Sequence, residues 1–158
     1  MLIPRSEHPR PDRQREAWLS LNGEWDFEID NPLSGKAKGF EKRASLDGKI
    51  TVPFCPESKL SGVGHTDFMS SVWYRRDVDI PSDWKDKRII LHVDACDYDT
   101  DVYVNGTYAG NHKGGYTPFA FDVTDKLLPS GNYITINAMD DLRSERQVSG
   151  KQIGRAHV

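Results

Sequence analysis

Asp99-Thr-Asp-Val-Tyr-Val-Asn-Gly-Thr-Tyr-Ala-Gly-Asn111 is the stretch that decides the fold of this chain. Successive side chains of a strand point to opposite faces, so alternation marks a half-buried strand. Asp99 to Asn105 alternates, with Val102 and Val104 on one face. Asn105-Gly106 then supplies two residues that tolerate positive φ, as a type I′ turn requires. Thr107 to Asn111 returns beside the first run. The stretch therefore predicts an antiparallel hairpin, a unit that needs a sheet to rest in.

The same pattern extends outward in both directions. Upstream, Glu24-Trp-Asp-Phe-Glu-Ile-Asp30 alternates strictly, with Trp25, Phe27 and Ile29 on one face and the acids on the other. Ile50-Thr-Val-Pro53 is a short strand ended by proline, which has no N–H to give to a ladder. Val72 to Ile80 is the next strand. Arg88 to Val93 is apolar enough for a central one, with His92 expected as a satisfied structural histidine. Downstream, Phe119-Ala-Phe-Asp-Val123 and Tyr133-Ile-Thr-Ile-Asn-Ala138 are strands. Between them Thr124 is expected to cap a single helical turn through Leu128.

Helical periodicity is nearly absent. About seven or eight short strands, with turn signals every ~8–12 residues, predict an all-β antiparallel sandwich of the jelly-roll kind. The strand-poor stretches Asn31 to Lys49 and Phe54 to Ser71 are long for a compact domain, and loops of that length are usually functional.

The bulk composition narrows the function classes. A chain of 158 residues fits one domain, and 37% hydrophobic residues with four Trp can build a core. A formal net charge of −3 points away from nucleic acid. No apolar run approaches the ~20 residues of a membrane-spanning helix. The N-terminus lacks the layout of a signal peptide, so the cytoplasm is the expected location. Cys55 and Cys96 lie far apart in the sequence and are expected to be buried free thiols.

Few residues suggest chemistry on spacing alone. Asp97-Tyr-Asp-Thr-Asp101 begins like a calcium loop, but its sixth and twelfth positions are Val102 and Tyr108 rather than Gly and Glu. These acids are expected on the wet face of a strand. The five histidines show no metal spacing, and no metal or cofactor is expected. Ser58 and Ser61 lie in no nucleophile elbow. Gly110 to Gly115 follows the hairpin and reads as a turn, with no helix after it to hold a phosphate. No carboxylate pair stands out as an acid/base pair, and no catalytic residue is expected in the chain.

An ordered series of short motifs carries a resemblance. Trp18-Leu-Ser-Leu-Asn-Gly-Glu-Trp-Asp-Phe27 resembles the W-x-x-L-N-G-x-W-x-F opening of glycoside hydrolase family 2. His8-Pro-Arg-Pro11 before it resembles the start of one bacterial subgroup. Ile50-Thr-Val-Pro53, Glu57-Ser58 and Ser61-Gly-Val-Gly64 resemble the approach to the family's W-Y-R-R strand, here Trp73-Tyr-Arg-Arg76. Val104-Asn-Gly106, Gly110-Asn-His112, Gly114-Gly-Tyr-Thr-Pro-Phe119, Phe121-Asp-Val-Thr124 and Ser149-Gly-Lys-Gln152 continue the series in order. Each motif is weak alone; the order over residues 7–152 is specific.

The resemblance implies a galactose-binding-domain-like jelly roll followed, in the family, by an immunoglobulin-like sandwich and a (β/α)₈ barrel. The barrel carries two glutamates that hydrolyse β-glycosides with retention, which needs carboxyls about 5–5.5 Å apart. This chain has no barrel, so its implied contribution is a carbohydrate-facing rim. By position Asp140 and Asp141 are the substrate-binding candidates, since a carboxylate can accept two sugar hydroxyls. An acidic turn ending a strand accounts for the same two residues. Asp67 and His65, near the tip of the second long loop, are further candidates. Trp18, Trp25, Trp73 and Tyr74 fit the family's packing pattern. Trp84 is expected to be partly exposed, as a packed residue or as a sugar-stacking platform. Family members often oligomerise, so a homo-oligomeric parent is implied.

The last residues, Ile153-Gly-Arg-Ala-His-Val158, match one codon choice for the start of a common sequencing adaptor (ATC GGA AGA GCA CAC GTC). They are excluded from fold reasoning as a non-native tail. The expected organisation is a lead-in over 1–17, a sugar-binding jelly roll over 18–152 that lacks its last strands, and the tail over 153–158. Such a fragment of a β-galactosidase- or β-glucuronidase-like hydrolase is expected to be marginally stable, because a missing strand leaves a sheet edge open. Two alternatives stand beside it: a free-standing carbohydrate-binding module, and a structural or assembly domain.

Overall fold

The computed structural model of the chain describes residues 3–141 and 144. The Ser149–Gln152 motif and the tail over 153–158 lie outside these residues. Among the described residues there are eight strands: β1 (Gly23–Ile29), β2 (Gly48–Val52), β3 (Ser71–Val78), β4 (Ile90–Val93), β5 (Asp99–Val104), β6 (Thr107–Lys113), β7 (Phe119–Asp122) and β8 (Asn132–Met139). Among the described residues helix is confined to short 3₁₀ turns. The strands make an antiparallel six-stranded sheet in the order β2-β1-β3-β8-β5-β6 and a two-stranded sheet of β4 and β7.

Register explains the core. Phe27 lies opposite Tyr74, Tyr74 opposite Ile136, and Ile136 opposite Val102. Residues in register share a face, so the apolar halves of β1, β3, β8 and β5 line up on one side. There Trp25, Phe27, Ile50, Val78, Val102, Val104 and Ile134 pack against Leu91 of the small sheet and Val123 just after it. Each such large side chain stabilises the fold by about 1.5–3 kcal/mol relative to exposure. The hairpin is as expected: Asn105 and Gly106 have φ of 51° and 73°.

Two smaller expectations are corrected. Among the described residues the strand within Arg88 to Val93 pairs only with β7 instead of sitting centrally. Leu91 turns to the core, and the alternation carries His92 and Ile90 to solvent. Thr124 does not cap its turn: Asp122 Oδ1 accepts from the Thr124 N–H at 3.1 Å and from its hydroxyl at 2.6 Å. The Thr124 hydroxyl in turn accepts from the Ile89 N–H at 2.8 Å.

The larger correction concerns the outer face of the six-stranded sheet. The segment 30–47 crosses it, burying Phe40 and Leu46 against Trp73, with Tyr103 packed alongside. Phe40 meets Trp73 edge-on at 5.6 Å, and Trp73 stacks on Tyr103 at 6.2 Å. Asp26 of β1 and Asp101 of β5 are therefore roofed instead of wet, at 8% and 6% exposure. A buried charge must be paired. Asp26 takes Lys49 Nζ at 2.6 Å and the Leu46 N–H at 3.3 Å. Asp101 takes Lys36 Nζ, and Asn111 Nδ2 at 2.9 Å.

Candidate functional site

At one end of the sandwich β1, β6 and β8 finish while β3 and β5 begin. Because β8 lies between β3 and β5, its last residue emerges mid-sheet, not at an edge. Asp140 follows directly. Its N–H donates to the Ser70 carbonyl at 3.1 Å, which ties it to the end of the 53–70 loop. One residue earlier, the Met139 carbonyl accepts from the Tyr98 N–H at 3.3 Å, which ties β8 to the loop before β5. Asp140 is half-buried in this seam and Asp141 is exposed. The Asp141 carbonyl accepts from the Ser144 N–H at 2.9 Å.

Two further loops close on the seam. The Gly114 N–H donates to the Tyr98 carbonyl at 2.8 Å. Gly115 is buried, and a Cβ on it would stand 2.4 Å from Asp97 Oδ1. Only glycine allows that approach, and it brings the 114–118 loop down onto Asp97. On the other side the Ser70 N–H donates to Asn31 Oδ1 at 3.0 Å, and the Asp30 N–H to the Ser71 carbonyl at 2.8 Å. Two aromatic side chains in these loops face solvent, Tyr116 at 59% and Phe68 at 51% exposure. Carboxylates that accept hydroxyls, beside aromatic faces that cover C–H surfaces, are groups suited to a sugar.

The remaining candidates separate. The His65 backbone N–H donates to the Pro56 carbonyl at 2.9 Å, closing its own loop. Asp67 is exposed and accepts from the Phe68 N–H at 2.7 Å, three residues before the Ser70 contact with Asp140. Trp84 is half-buried in a 3₁₀ turn of its own, Ser82–Trp84, after Pro81. Cys96 is half-buried and Cys55 exposed, so neither is the fully buried thiol expected, and neither is in a disulfide. Burial pushes the Tyr74 phenol well above its ordinary pKa, with Cys96, Glu57 and Cys55 adding to the effect.

Asp30 holds the segment behind this end in place. Its carboxylate accepts from the Ser34 N–H at 2.9 Å, the Gly35 N–H at 2.7 Å and Trp73 Nε1 at 3.2 Å. Burial alone would raise its pKa; the backbone bonds from Ser34 and Gly35 and the bond from Trp73 outweigh burial and hold it below the ordinary value. The sequence reading missed this role, since Asp30 is only the last acid of an alternating strand. A closer signal was Asn31-Pro-Leu-Ser-Gly35, turn chemistry following an acid.

Among the described residues no group of three or more His, Cys, Asp or Glu could hold a metal ion. Among the same residues no helix is long and apolar enough to cross a membrane.

Comparison with known proteins agrees with this architecture. Residues 18–144 match the family model described as "Glycosyl hydrolases family 2, sugar binding domain". The β-glucuronidase of Canis lupus familiaris is 33% identical over 142 residues, covering 83% of this chain and 21% of that protein. A β-galactosidase of Thermoanaerobacter pseudethanolicus is 35% identical over 83 residues, 52% of this chain and 11% of that one. Among solved structures, Lactobacillus rhamnosus β-glucuronidase superposes with a TM-score of 0.71 at 27% identity, over 78% of this chain and 21% of that one. Ruminococcus gnavus β-glucuronidase, in complex with D-glucaro 1,5-lactone, gives 0.67 at 26% identity over 83% and 23%. The chain thus spans about a fifth of the length of the β-glucuronidases it matches. With the jelly-roll sheets, the loop-built end and the match over residues 18–144 all in agreement, this chain belongs to the family 2 glycosyl hydrolase sugar binding domains.

Proposed function

We propose that the chain is the N-terminal sugar-binding portion of a longer retaining hydrolase of β-glycosides, with β-glucuronides favoured over β-galactosides. Asp140 and Asp141 form part of the rim that meets the sugar, and the two catalytic glutamates belong to a barrel that this chain does not contain. The observation that carries the reading is the delivery of Asp140 to the middle of a loop-built end by β8, in a fold superposing on β-glucuronidases. The preference for β-glucuronides is supported by the relatives, among which β-glucuronidases match over most of this chain and the β-galactosidase over 52%.

The chain contributes binding and no bond cleavage. A carboxylate on the rim accepts hydroxyl protons and fixes the orientation of the ring, which places the glycosidic bond for the barrel's acid and nucleophile. Removing such a contact weakens both ground and transition state by a similar amount, so it shows chiefly in KM.

The test begins with the source DNA read past the codon for Gln152. A frame that continues into a second sandwich and a barrel is expected. The protein it encodes should hydrolyse 4-nitrophenyl β-glucuronide ahead of the β-galactoside. Asp140→Asn or Asp141→Asn should raise its KM by about ten-fold, the scale of one hydrogen bond to a charged group. A frame that stops after Val158 would replace this reading with that of a free-standing binding module. Unchanged KM in both variants would remove the two acids from the rim.

A further inference from the structure

A cavity of about 260 Å³ opens on the outer face of β1, β2 and β3, lined by Glu24, Asp26, Lys49, Arg75, Arg76 and Asp77. It lies toward the end where β1 begins and β3 finishes, opposite the end that carries Asp140. Its volume is below that of pockets for drug-sized ligands, which start near 300 Å³, and it limits a ligand to about one ring.

The lining is wholly charged yet balanced: three carboxylates, Glu24, Asp26 and Asp77, stand with three cations, Lys49, Arg75 and Arg76. An anion would meet the carboxylates and a cation the basic groups, so neither sign of ligand gains. A neutral molecule dense in hydroxyls gains from both, because each hydroxyl donates to a carboxylate and accepts from a cation.

Arg75 supplies the floor. Its side chain is only 9% exposed. Nε donates to the Arg43 carbonyl at 2.9 Å and Nη2 to Asp77 Oδ1 at 2.7 Å. Nη1 faces Asp26 Oδ2 at 3.8 Å, beyond hydrogen-bond range. The guanidinium carbon lies over the Tyr133 ring, 4.8 Å from its centre, a cation–π contact that helps hold the group in place. Among the described residues Nη1 has no acceptor within hydrogen-bond range, and Arg75 lines the cavity. Lys49 Nζ, bound to Asp26 at 2.6 Å and 3.4 Å from Glu24, stands at the mouth.

We infer that this cavity binds a single neutral sugar ring, whose hydroxyls bridge Arg75 Nη1 and Lys49 Nζ to the carboxylates of Asp26 and Glu24. The site goes beyond the rim reading and does not depend on it.

The experiment is a ¹⁵N–¹H titration of the whole chain with methyl β-D-glucopyranoside, with sodium D-glucuronate and with inorganic phosphate. Saturable shifts are expected at Asp26, Lys49 and the Arg75 Nε–H with the neutral glycoside. Glucuronate should bind no more tightly than the neutral glycoside, because its carboxylate meets three carboxylates as well as three cations. Lys49→Met should lose about ten-fold in affinity. Its side chain is 62% exposed but pairs with Asp26, so a dispersed spectrum checks that the variant folds. Glu24→Gln, which still accepts a hydroxyl proton, should lose less. Absence of shifts at these residues, equal affinity in Lys49→Met, or tighter binding of phosphate or glucuronate would each overturn the inference. Shifts confined to Asp140 and Asp141 would overturn it while supporting the rim, so the two ideas fail separately.

Discussion

Asp30 concentrates in one side chain the demands of the segment that follows β1. Its bonds from Ser34, Gly35 and Trp73 exist only in the folded chain and favour its charged form. The folded pKa therefore lies below the unfolded one, and the stability it contributes is complete above about pH 5 and lost as the pH falls through the folded value. Asp30→Asn, which stays uncharged, should melt lower by about 1–3 kcal/mol at neutral pH. It should also show a shallower loss of stability than the parent between about pH 5 and 2. Thermal melts at a series of pH values give both readings, and parallel curves for parent and variant would sink the assignment. Gly35 offers an independent check on the same clamp. A Cβ there would fall 2.4 Å from Trp73 Nε1 and 2.8 Å from Asp30 Oδ2. Gly35→Ala should cost about 1–3 kcal/mol by overpacking, read from urea unfolding with an unchanged slope.

At the scale of elements, the hairpin joining β5 and β6 separates backbone strain from side-chain bonding. Asn105 holds φ of 51° and does more than turn. Its Nδ2 donates to the Lys126 carbonyl and to Asn132 Oδ1, each at 2.8 Å, and its Oδ1 accepts from the Tyr133 N–H at 2.9 Å. Asn105→Gly loses these bonds but keeps the left-handed conformation at no cost; Asn105→Ala loses both. Both variants should be destabilised, and alanine should lie about 1 kcal/mol below glycine. Equal stabilities would mean that strain contributes nothing here. This turn was legible in the sequence because its signal is local: two residues of the right kind between two alternating runs. The strands were legible for the same reason, Glu24 to Asp30 being read almost to the residue. The cover over the outer face was not. It depends on Phe40 and Leu46, separated from Trp73 and Tyr103 by about 30 or more residues, and no period links them. Read alone, Asp26 and Asp101 alternate as solvent-facing acids do; only the segment 30–47 laid over them makes them buried and paired. The site divides in the same way. The position of Asp140 after a strand is a sequence fact, whereas its bond to Ser70 and the charge cavity around Arg75 arise from strand order, which alternation does not encode.

Within the described residues the fold is an unequal sandwich, six strands facing two. Within the described residues β4 pairs only with β7, so each strand of the small sheet has one edge without a strand partner. Ile90 on β4 is 37% exposed. Open strand edges with apolar neighbours are templates for pairing with a second chain. What opposes this is charge, and the chain carries little: formally −3 at pH 7, with an isoelectric point near 5.9. Repulsion between copies vanishes near that pH and grows above it. On heating, turbidity should therefore begin at the lowest temperature near pH 6 and at a higher one at about pH 8, and salt should lower the pH 8 onset by screening. The clamp at Asp30 predicts no such minimum, since its loss occurs only in acid well below pH 6. A turbidity onset that is independent of both pH and salt would show that the sheet edges are covered, and the unequal sandwich would then owe its solubility to packing rather than to charge.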